Sequence, residues 1–303
     1  MPQHKKPQLY RLMMLFIQKS TKAIAAGETP DLDKTFQLAD ALIKDAIRKD
    51  DLLECAVNYY DPKDLYVSHS ANVAIFSLKM ALGMGLSKEE VQYTVASALL
   101  HDVGFGKLLA SIQSIQNYRK KGSSAEEEID RARMHPQYAS DAILYHSDRG
   151  NIIAEIILQH HERADGNGYP NQLPDFEQYL PAKIIAITDT YEALIHPRSH
   201  RDQLIPPVGI SSILKQKGSA FSAELIKALI ETLSIYPVGQ YVRLNNGMIG
   251  KVSKTYPDNP IRPDIAVSVD GAGKRIVPDR IVKLVDERLL VVEECLPGYP
   301  EAR

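Results

Sequence analysis

Apolar residues recur at helical spacing from the start of the chain to about residue 235. Leu9, Leu12, Met13, Phe16 and Ile17 form the first such series, and they predict an amphipathic helix. Ser87 with Glu90 forms a capping box, which marks the start of another helix. Further helices are predicted near residues 38–47, 67–84, 135–145, 152–161, 181–194 and 222–230. The charged segment 120–128 predicts a solvated loop.

The hydrophobic pattern changes after Val238, where apolar and polar residues begin to alternate as in strands. Asn246-Gly247 and Asp270-Gly271 are typical hairpin turns between these strands. The sequence therefore predicts a mainly α protein with a small C-terminal β subdomain. The expected divisions are an N-terminal helical region at 1–60, a helical catalytic domain at 61–236 and the β subdomain at 237–303.

Composition and charge exclude several classes of protein. The 303 residues carry 36 Lys and Arg against 38 Asp and Glu, so bulk positive charge for a long nucleic acid or an anionic membrane is absent. Cys55 and Cys295 lie far apart, which argues against a disulfide framework and against a zinc-thiolate site. No targeting or membrane-spanning segment is visible, and we expect a soluble, cytoplasmic protein.

Histidine and aspartate residues carry the candidate chemistry, because several of them end or interrupt apolar helices. Such buried groups are costly unless they are paired or bind metal. The candidate ligands are His69, His101, Asp102, His135, His160, His161 and Asp189. One ion with an open position does not need seven ligands, so two divalent ions with Asp102 between them are expected. A set without thiolates favours iron or manganese over structural zinc. His4, His146, His196 and His200 are interpreted as non-ligands.

Several motifs resemble one known family. His101-Asp102 with Asp189 resembles the HD superfamily of metal-dependent phosphohydrolases, and the run from His160 to Pro170 is similar to the defining motif of its HD-GYP branch. The resemblance covers about residues 67–236, including 189–194 and 198–201. It implies a helical bundle with two or three metal ions and a phosphodiesterase of the bacterial messenger cyclic di-GMP.

The resemblance also implies a role for each matching residue. One ion would be held by His69, His101, Asp102 and Asp189, and the second by Asp102, His135, His160 and His161. Family members with a third ion have a glutamate one turn before the first histidine, where this chain has Leu65. A binuclear site with a metal-bridging hydroxide is therefore expected. The expected product is linear pGpG, with further cleavage to GMP left open.

Substrate contacts follow from the same resemblance. Phosphate contacts are expected from Lys107, Arg163, Arg198 and Arg201, and further contacts from the loop Gly168-Tyr169-Pro170. Phe105 stands where the family has a phosphate-binding lysine, so Lys107 is predicted to take that catalytic role with Asp102. A diguanylate cyclase partner at the loop and a homodimer are further hypotheses. Two alternatives stay open: an HD-type phosphohydrolase of another nucleotide, and a catalytically weak module that binds cyclic di-GMP.

Overall fold

Helices followed by one antiparallel sheet make up the computed structural model, which describes residues 7–46, 50–62, 64–108, 125–197 and 202–296. The helices are α1 (Gln8–Ala26), α2 (Leu32–Ala46), α3 (Asp51–Asn58), α4 (Leu65–Gly83), α5 (Lys88–Leu100), α6 (Ala125–Ala132), α7 (His135–Asp141), α8 (Asp148–Gln159), α9 (Leu180–Ile195), α10 (Pro206–Leu214) and α11 (Ala223–Leu233). The mainly α fold with a small C-terminal sheet is thus confirmed. None of the described helices is long and apolar enough to cross a membrane.

Polar caps determine where two of the site-bearing helices begin. The predicted capping box is present at α5, where Ser87 and Glu90 bond each other's backbone. Helix α8 begins after Ser147, whose hydroxyl accepts from the Gly150 amide at 3.0 Å. Each of these helices ends one residue before a predicted ligand pair, so the caps help to fix the position of that pair.

Helices α4 and α9 form the centre of the bundle and are buried on nearly every face. The rings of Phe76 on α4 and Tyr191 on α9 pack edge to face with centroids 5.4 Å apart. Met13 of α1 and Leu42 of α2 belong to the same hydrophobic core. The N-terminal helices therefore pack as part of the bundle, while the predicted boundary at residue 60 stays a prediction.

The C-terminal sheet has its own core. Its strands are β1 (Tyr241–Leu244), β2 (Ile249–Lys254), β3 (Asp264–Val269), β4 (Arg275–Lys283) and β5 (Val292–Leu296), in the spatial order β4-β3-β2-β1-β5. The two predicted turns connect β1 to β2 and β3 to β4, and Gly247 has the positive φ of +85° that such a turn requires. Lys251 of β2 pairs with Glu54 of α3 at 2.5 Å and links the sheet to the bundle.

Two predictions of local structure need correction. The predicted loop at 120–128 is wrong for its described part, because α6 begins at Ala125. Consecutive glutamates are good helix formers, and their charge was misinterpreted as the mark of a loop. Helix α10 was not predicted, since its first residues are two prolines. Proline is in fact favoured in the first turn of a helix, because the backbone N–H groups there have no acceptor within the helix.

Candidate metal centre

All seven predicted ligands meet at one place in the bundle. His69 lies within α4, Asp189 within α9, and His135 begins α7. The two pairs His101-Asp102 and His160-His161 directly follow α5 and α8. Three overlapping groups have ligand atoms within 4.8 Å of one another: His69, His101 and Asp189; His101, Asp102 and His160; and His135, His160 and His161.

The backbone fixes the orientation of three of the histidine rings. In His101, His135 and His160, the Nδ1 atom bonds the carbonyl three residues earlier in the chain. The acceptors are Ala98 at 2.7 Å, Ala132 at 2.7 Å and Ile157 at 2.6 Å. A carbonyl can only accept, so Nδ1 must carry the proton and each ring turns the lone pair of Nε2 toward the centre.

The buried ring of His101 is the observation that best fits a metal ion at this site. Its side chain is fully buried, and its Nε2 has no hydrogen-bond partner among the described residues. A buried hydrogen-bond acceptor without a partner lowers the stability of the fold by about 1–3 kcal/mol. A divalent cation would satisfy that lone pair, and the all-nitrogen and oxygen donor set suits such an ion.

Asp102 lies between the two outer groups of ligands. Its Oδ1 is 3.2 Å from Nε2 of His135, while its Oδ2 is 3.5 Å from Nε2 of His101 and 3.6 Å from that of His69. Burial alone would raise the pKa of this carboxyl, but the surrounding imidazoles outweigh it and hold the pKa well below its ordinary value. Asp102 is therefore ionised and offers one oxygen to each side.

Glu192 was not among the predicted site residues, and it contacts His69 at Nδ1, the ring nitrogen opposite the one that faces Asp189. Its carboxylate accepts a short hydrogen bond from Nδ1 of His69, which leaves Nε2 of that ring facing Asp189 at 2.9 Å. Burial disfavours the charged imidazole, yet the carboxylates of Glu192 and Asp189 prevail and raise the pKa of His69 to about 10. The spacing from Asp189 to Glu192 is one helical turn, which was the available signal.

His196 is the second histidine that contacts Glu192. Its Nδ1 lies 3.0 Å from Oε1 of that carboxylate, one helical turn further along the chain. Burial alone would raise the pKa of Glu192, but His69 and His196 together hold it well below its ordinary value. Glu192 is thus an ionised carboxylate that orients a ligand without being one.

A cavity of about 360 Å³ opens above the ligands. Aromatic rings form much of its wall: Phe105 stacks on His135 at a centroid distance of 4.2 Å, and Tyr169 stacks on His161 at 4.7 Å. Tyr66 packs against Phe105 at the rim. Arg133, which the sequence analysis did not single out, also lines the cavity, and its guanidinium lies 5.7 Å from the Tyr169 ring centre.

The residues predicted to contact substrate do not all lie at the cavity. Tyr169 lines the cavity, whereas Lys107 is exposed and its ammonium lies 5.6 Å from the ring centre of Tyr138. The guanidinium of Arg163 lies over the Phe221 ring at 5.2 Å, outside the cavity lining. Arg198 and Arg201, like His4 and His200, are outside the described residues.

The loop that carries Tyr169 is held by close backbone packing. A Cβ on Gly168 would lie 2.4 Å from Cα of Glu162, so this position requires glycine. The buried carboxylate of Glu162 accepts the amides of Asn171 at 2.7 Å and Leu173 at 3.0 Å. Gly168 therefore shapes the loop, and Pro170 is exposed at its tip.

Family comparisons agree with this geometry. Residues 59–225 match the family described as the HD domain, and residues 241–299 match a KOW domain associated with the HD domain. The chain therefore belongs to the HD-domain family, and the predicted membership of its HD-GYP branch is confirmed.

Curated relatives and solved structures are also similar to this chain. The chain is 26% identical over 258 residues to the cyclic di-GMP phosphodiesterase PA4108 of Pseudomonas aeruginosa, covering 85% of this chain and 61% of that protein. It is 31% identical over 166 residues to the 3′3′-cGAMP-specific phosphodiesterase 2 of Vibrio cholerae, covering 54% of this chain and 31% of that protein. It thus spans less than two thirds of either relative. Bd1817, an HDG"Y"P protein from Bdellovibrio bacteriovorus, matches with a TM-score of 0.56 at 14% identity over 76% of this chain and 73% of that one, which supports the fold.

Proposed function

We propose that this chain is a metal-dependent phosphodiesterase that opens cyclic di-GMP to linear pGpG. The observation that carries the proposal is the position of Asp102, whose two oxygens face separate groups of histidines beneath a cavity. Two divalent ions bound there would activate water and neutralise the charge on the phosphate. The names of the similar phosphodiesterases support the substrate class.

The chain's own residues prepare the site for cations near neutral pH. Burial, together with the neighbouring histidines, lowers the pKa of His160 and His161 well below the ordinary value. Both rings are therefore neutral at pH 7 and have a lone pair to offer. With the ionised Asp102 and Asp189, the donor set combines neutral nitrogens and anionic oxygens, as iron and manganese prefer.

A binuclear site is the form that the local structure favours. Leu65 begins α4 at the position where a third-ion ligand is expected, and it supplies no donor atom. The neighbouring Asp64 carboxylate accepts from Nε2 of Gln18 at 3.4 Å instead. We expect two ions per chain, and pGpG as the main product.

The cavity wall suits a cyclic dinucleotide. Tyr66, Phe105 and Tyr169 offer aromatic surfaces, on which nucleobases stack without regard to sequence. Arg133 offers a guanidinium that can form a two-pronged contact with a phosphate. Contacts from Lys107, Arg163, Gly168, Pro170, Arg198 and Arg201 stay predictions, as do a diguanylate cyclase partner at the Gly168-Tyr169-Pro170 loop and a homodimer.

A hybrid dinucleotide is the second candidate substrate, because one relative is named for 3′3′-cGAMP. A weak binding module is the third candidate, because Phe105 places a ring rather than an ammonium beside His135. The test incubates the manganese-loaded chain with cyclic di-GMP or 3′3′-cGAMP and identifies the products over time by chromatography. Asp102→Asn is the inactive control.

The three candidates give different results in that assay. Release of pGpG from cyclic di-GMP at a higher rate than cleavage of 3′3′-cGAMP supports the proposal. Faster cleavage of 3′3′-cGAMP supports the second candidate. Binding of cyclic di-GMP without any product over hours would contradict phosphodiesterase activity. The weak binding module would then be the remaining candidate.

A further inference from the structure

A buried chain of hydrogen bonds runs from helix α1 to the metal centre. The hydroxyl of Tyr10 on α1 donates to Oδ1 of Asn72 on α4 at 2.7 Å. Nδ2 of Asn72 donates to Oε1 of Glu192 on α9 at 3.1 Å, and Oε2 of that carboxylate accepts from Nδ1 of His69. All four side chains are buried, so water does not compete for these bonds.

Tyr10 supplies the hydrogen-bond donor for the oxygen of the Asn72 amide. Nδ2 of Asn72 has two acceptors, because it donates to the carbonyl of Tyr59 at 2.9 Å as well as to Glu192. The remaining oxygen of the amide faces the Tyr10 hydroxyl. Burial raises the pKa of Tyr10 well above its ordinary value, so the hydroxyl keeps its proton and can donate. A flipped amide would point its oxygen at two other acceptors.

Packing holds α1 in the place that this chain requires. The rings of Tyr10 and Tyr59 meet edge to face with centroids 5.5 Å apart. Further along the helix, a Cβ on Gly106 would lie 2.2 Å from the carbonyl oxygen of Thr21. Helix α1 therefore contacts the turn after His101-Asp102 as well as Asn72, the side chain that bonds Glu192.

We propose that Tyr10 is a positioning residue for the metal centre, acting on His69 through Asn72 and Glu192. Tyr10 lies outside residues 59–225, which match the HD domain, so the N-terminal helix adds to that domain a part of its metal-binding unit. The inference rests on the proposed metal-dependent function. Partners behind a metal ligand fix its orientation, and their loss typically lowers metal affinity about 10- to 100-fold.

The test compares two buried tyrosine hydroxyls, one that donates a hydrogen bond and one without a partner among the described residues. Tyr10→Phe removes a hydroxyl that donates to Asn72. Tyr191→Phe removes an equally buried hydroxyl that has no hydrogen-bond partner among the described residues. Both variants keep the ring and its packing. The affinity of the metal-stripped full chain for Mn²⁺ is measured by titration calorimetry, and kcat and KM for cyclic di-GMP are measured at limiting and saturating Mn²⁺.

We expect Tyr10→Phe to weaken Mn²⁺ binding about three- to tenfold, less than the loss of a direct partner, because its effect passes through two other side chains. At limiting Mn²⁺ its kcat falls while KM stays unchanged, and saturating Mn²⁺ restores kcat. Tyr191→Phe retains the affinity of the unaltered chain. In an Asn72→Ala background, Tyr10→Phe has no further effect, because the chain is already broken.

Equal Mn²⁺ affinity in Tyr10→Phe and the unaltered chain would overturn the inference, and so would full additivity with Asn72→Ala. If Tyr10→Phe folds poorly, Asn72→Ala alone is tested, and an unchanged affinity of that variant for Mn²⁺ also overturns the inference. If the unaltered chain binds Mn²⁺ but cuts no cyclic dinucleotide, the proposed activity fails while the affinity comparison still decides the role of Tyr10. A chain that binds no Mn²⁺ overturns both.

Discussion

Asp102 faces His135 with Oδ1, 3.2 Å from Nε2, and leaves Oδ2 to the histidines on its other side. This division predicts that Asp102 contributes to both of the proposed ions. Asp102→Asn should lower bound manganese from two ions per chain to less than one, and hydrolysis should fall at least ~100-fold. Elemental analysis of the purified variant measures the first effect, and product chromatography measures the second.

His135→Gln is the matched comparison for Asp102→Asn. His135 belongs to the group with His160 and His161, so this variant should retain about one ion, held by His69, His101 and Asp189. Two ions retained in Asp102→Asn would contradict the shared role of this carboxylate.

Arg133 lines the cavity beside Tyr169 and is expected to bind a substrate phosphate. A hydrogen bond to a charged group contributes about 1.5–3 kcal/mol, so Arg133→Met should raise KM for cyclic di-GMP at least ~10-fold with little change in kcat. Arg131→Met is the control, because Arg131 is an exposed arginine of α6 outside the cavity lining. Equal KM values in the two variants would exclude a phosphate contact from Arg133.

Gly168 allows the Tyr169 loop to return closely over Glu162. Gly168→Ala places a methyl group 2.4 Å from Cα of Glu162, and overpacking of this kind costs about 1–3 kcal/mol. We expect a lower melting temperature and a higher KM, because Tyr169 would move from its position on His161. Asn167→Ala, at an exposed neighbour, should change neither quantity. A melting temperature unchanged in Gly168→Ala would show that the loop relaxes without strain.

The metal-free chain should lose stability as the pH falls below about 6.5. His160 and His161 have lowered pKa values in the folded state and stay neutral there, whereas the unfolded chain takes up protons near pH 6.5. The unfolded state then binds more protons, so the free energy of unfolding falls by up to about 1.4 kcal/mol per pH unit for each histidine. His69 acts in the opposite sense near and above pH 6.5, where its raised pKa keeps it protonated in the folded chain but only partly protonated in the unfolded chain, and it adds little slope well below that pH.

Denaturant unfolding at pH 7, 6 and 5 measures this dependence. His161→Gln removes one of the two titrating rings and should reduce the loss between pH 6.5 and 5. A loss of the same size in this variant would assign the pH dependence to other groups.

Much of the candidate metal centre can be predicted from the sequence. A histidine or aspartate directly after an apolar helix is expensive to bury, so the pairs at 101–102 and 160–161 indicated a site by themselves. Hairpin turns such as Asn246-Gly247 likewise depend on local backbone preferences. Signals of this kind lie within a few neighbouring residues and can be read along the chain.

The tertiary structure decided which distant side chains support the ligands. Glu192 reaches His69 because α9 packs on α4, and Tyr10 reaches Asn72 because α1 also packs on α4. Lys107, predicted from its position near His101-Asp102, lies instead over Tyr138, while Arg133 faces the cavity. The sequence determined the ligand chemistry through residue type and helical spacing. The partners of those ligands and the lining of the cavity depend on contacts between helices far apart in the chain, which only packing of the whole bundle establishes.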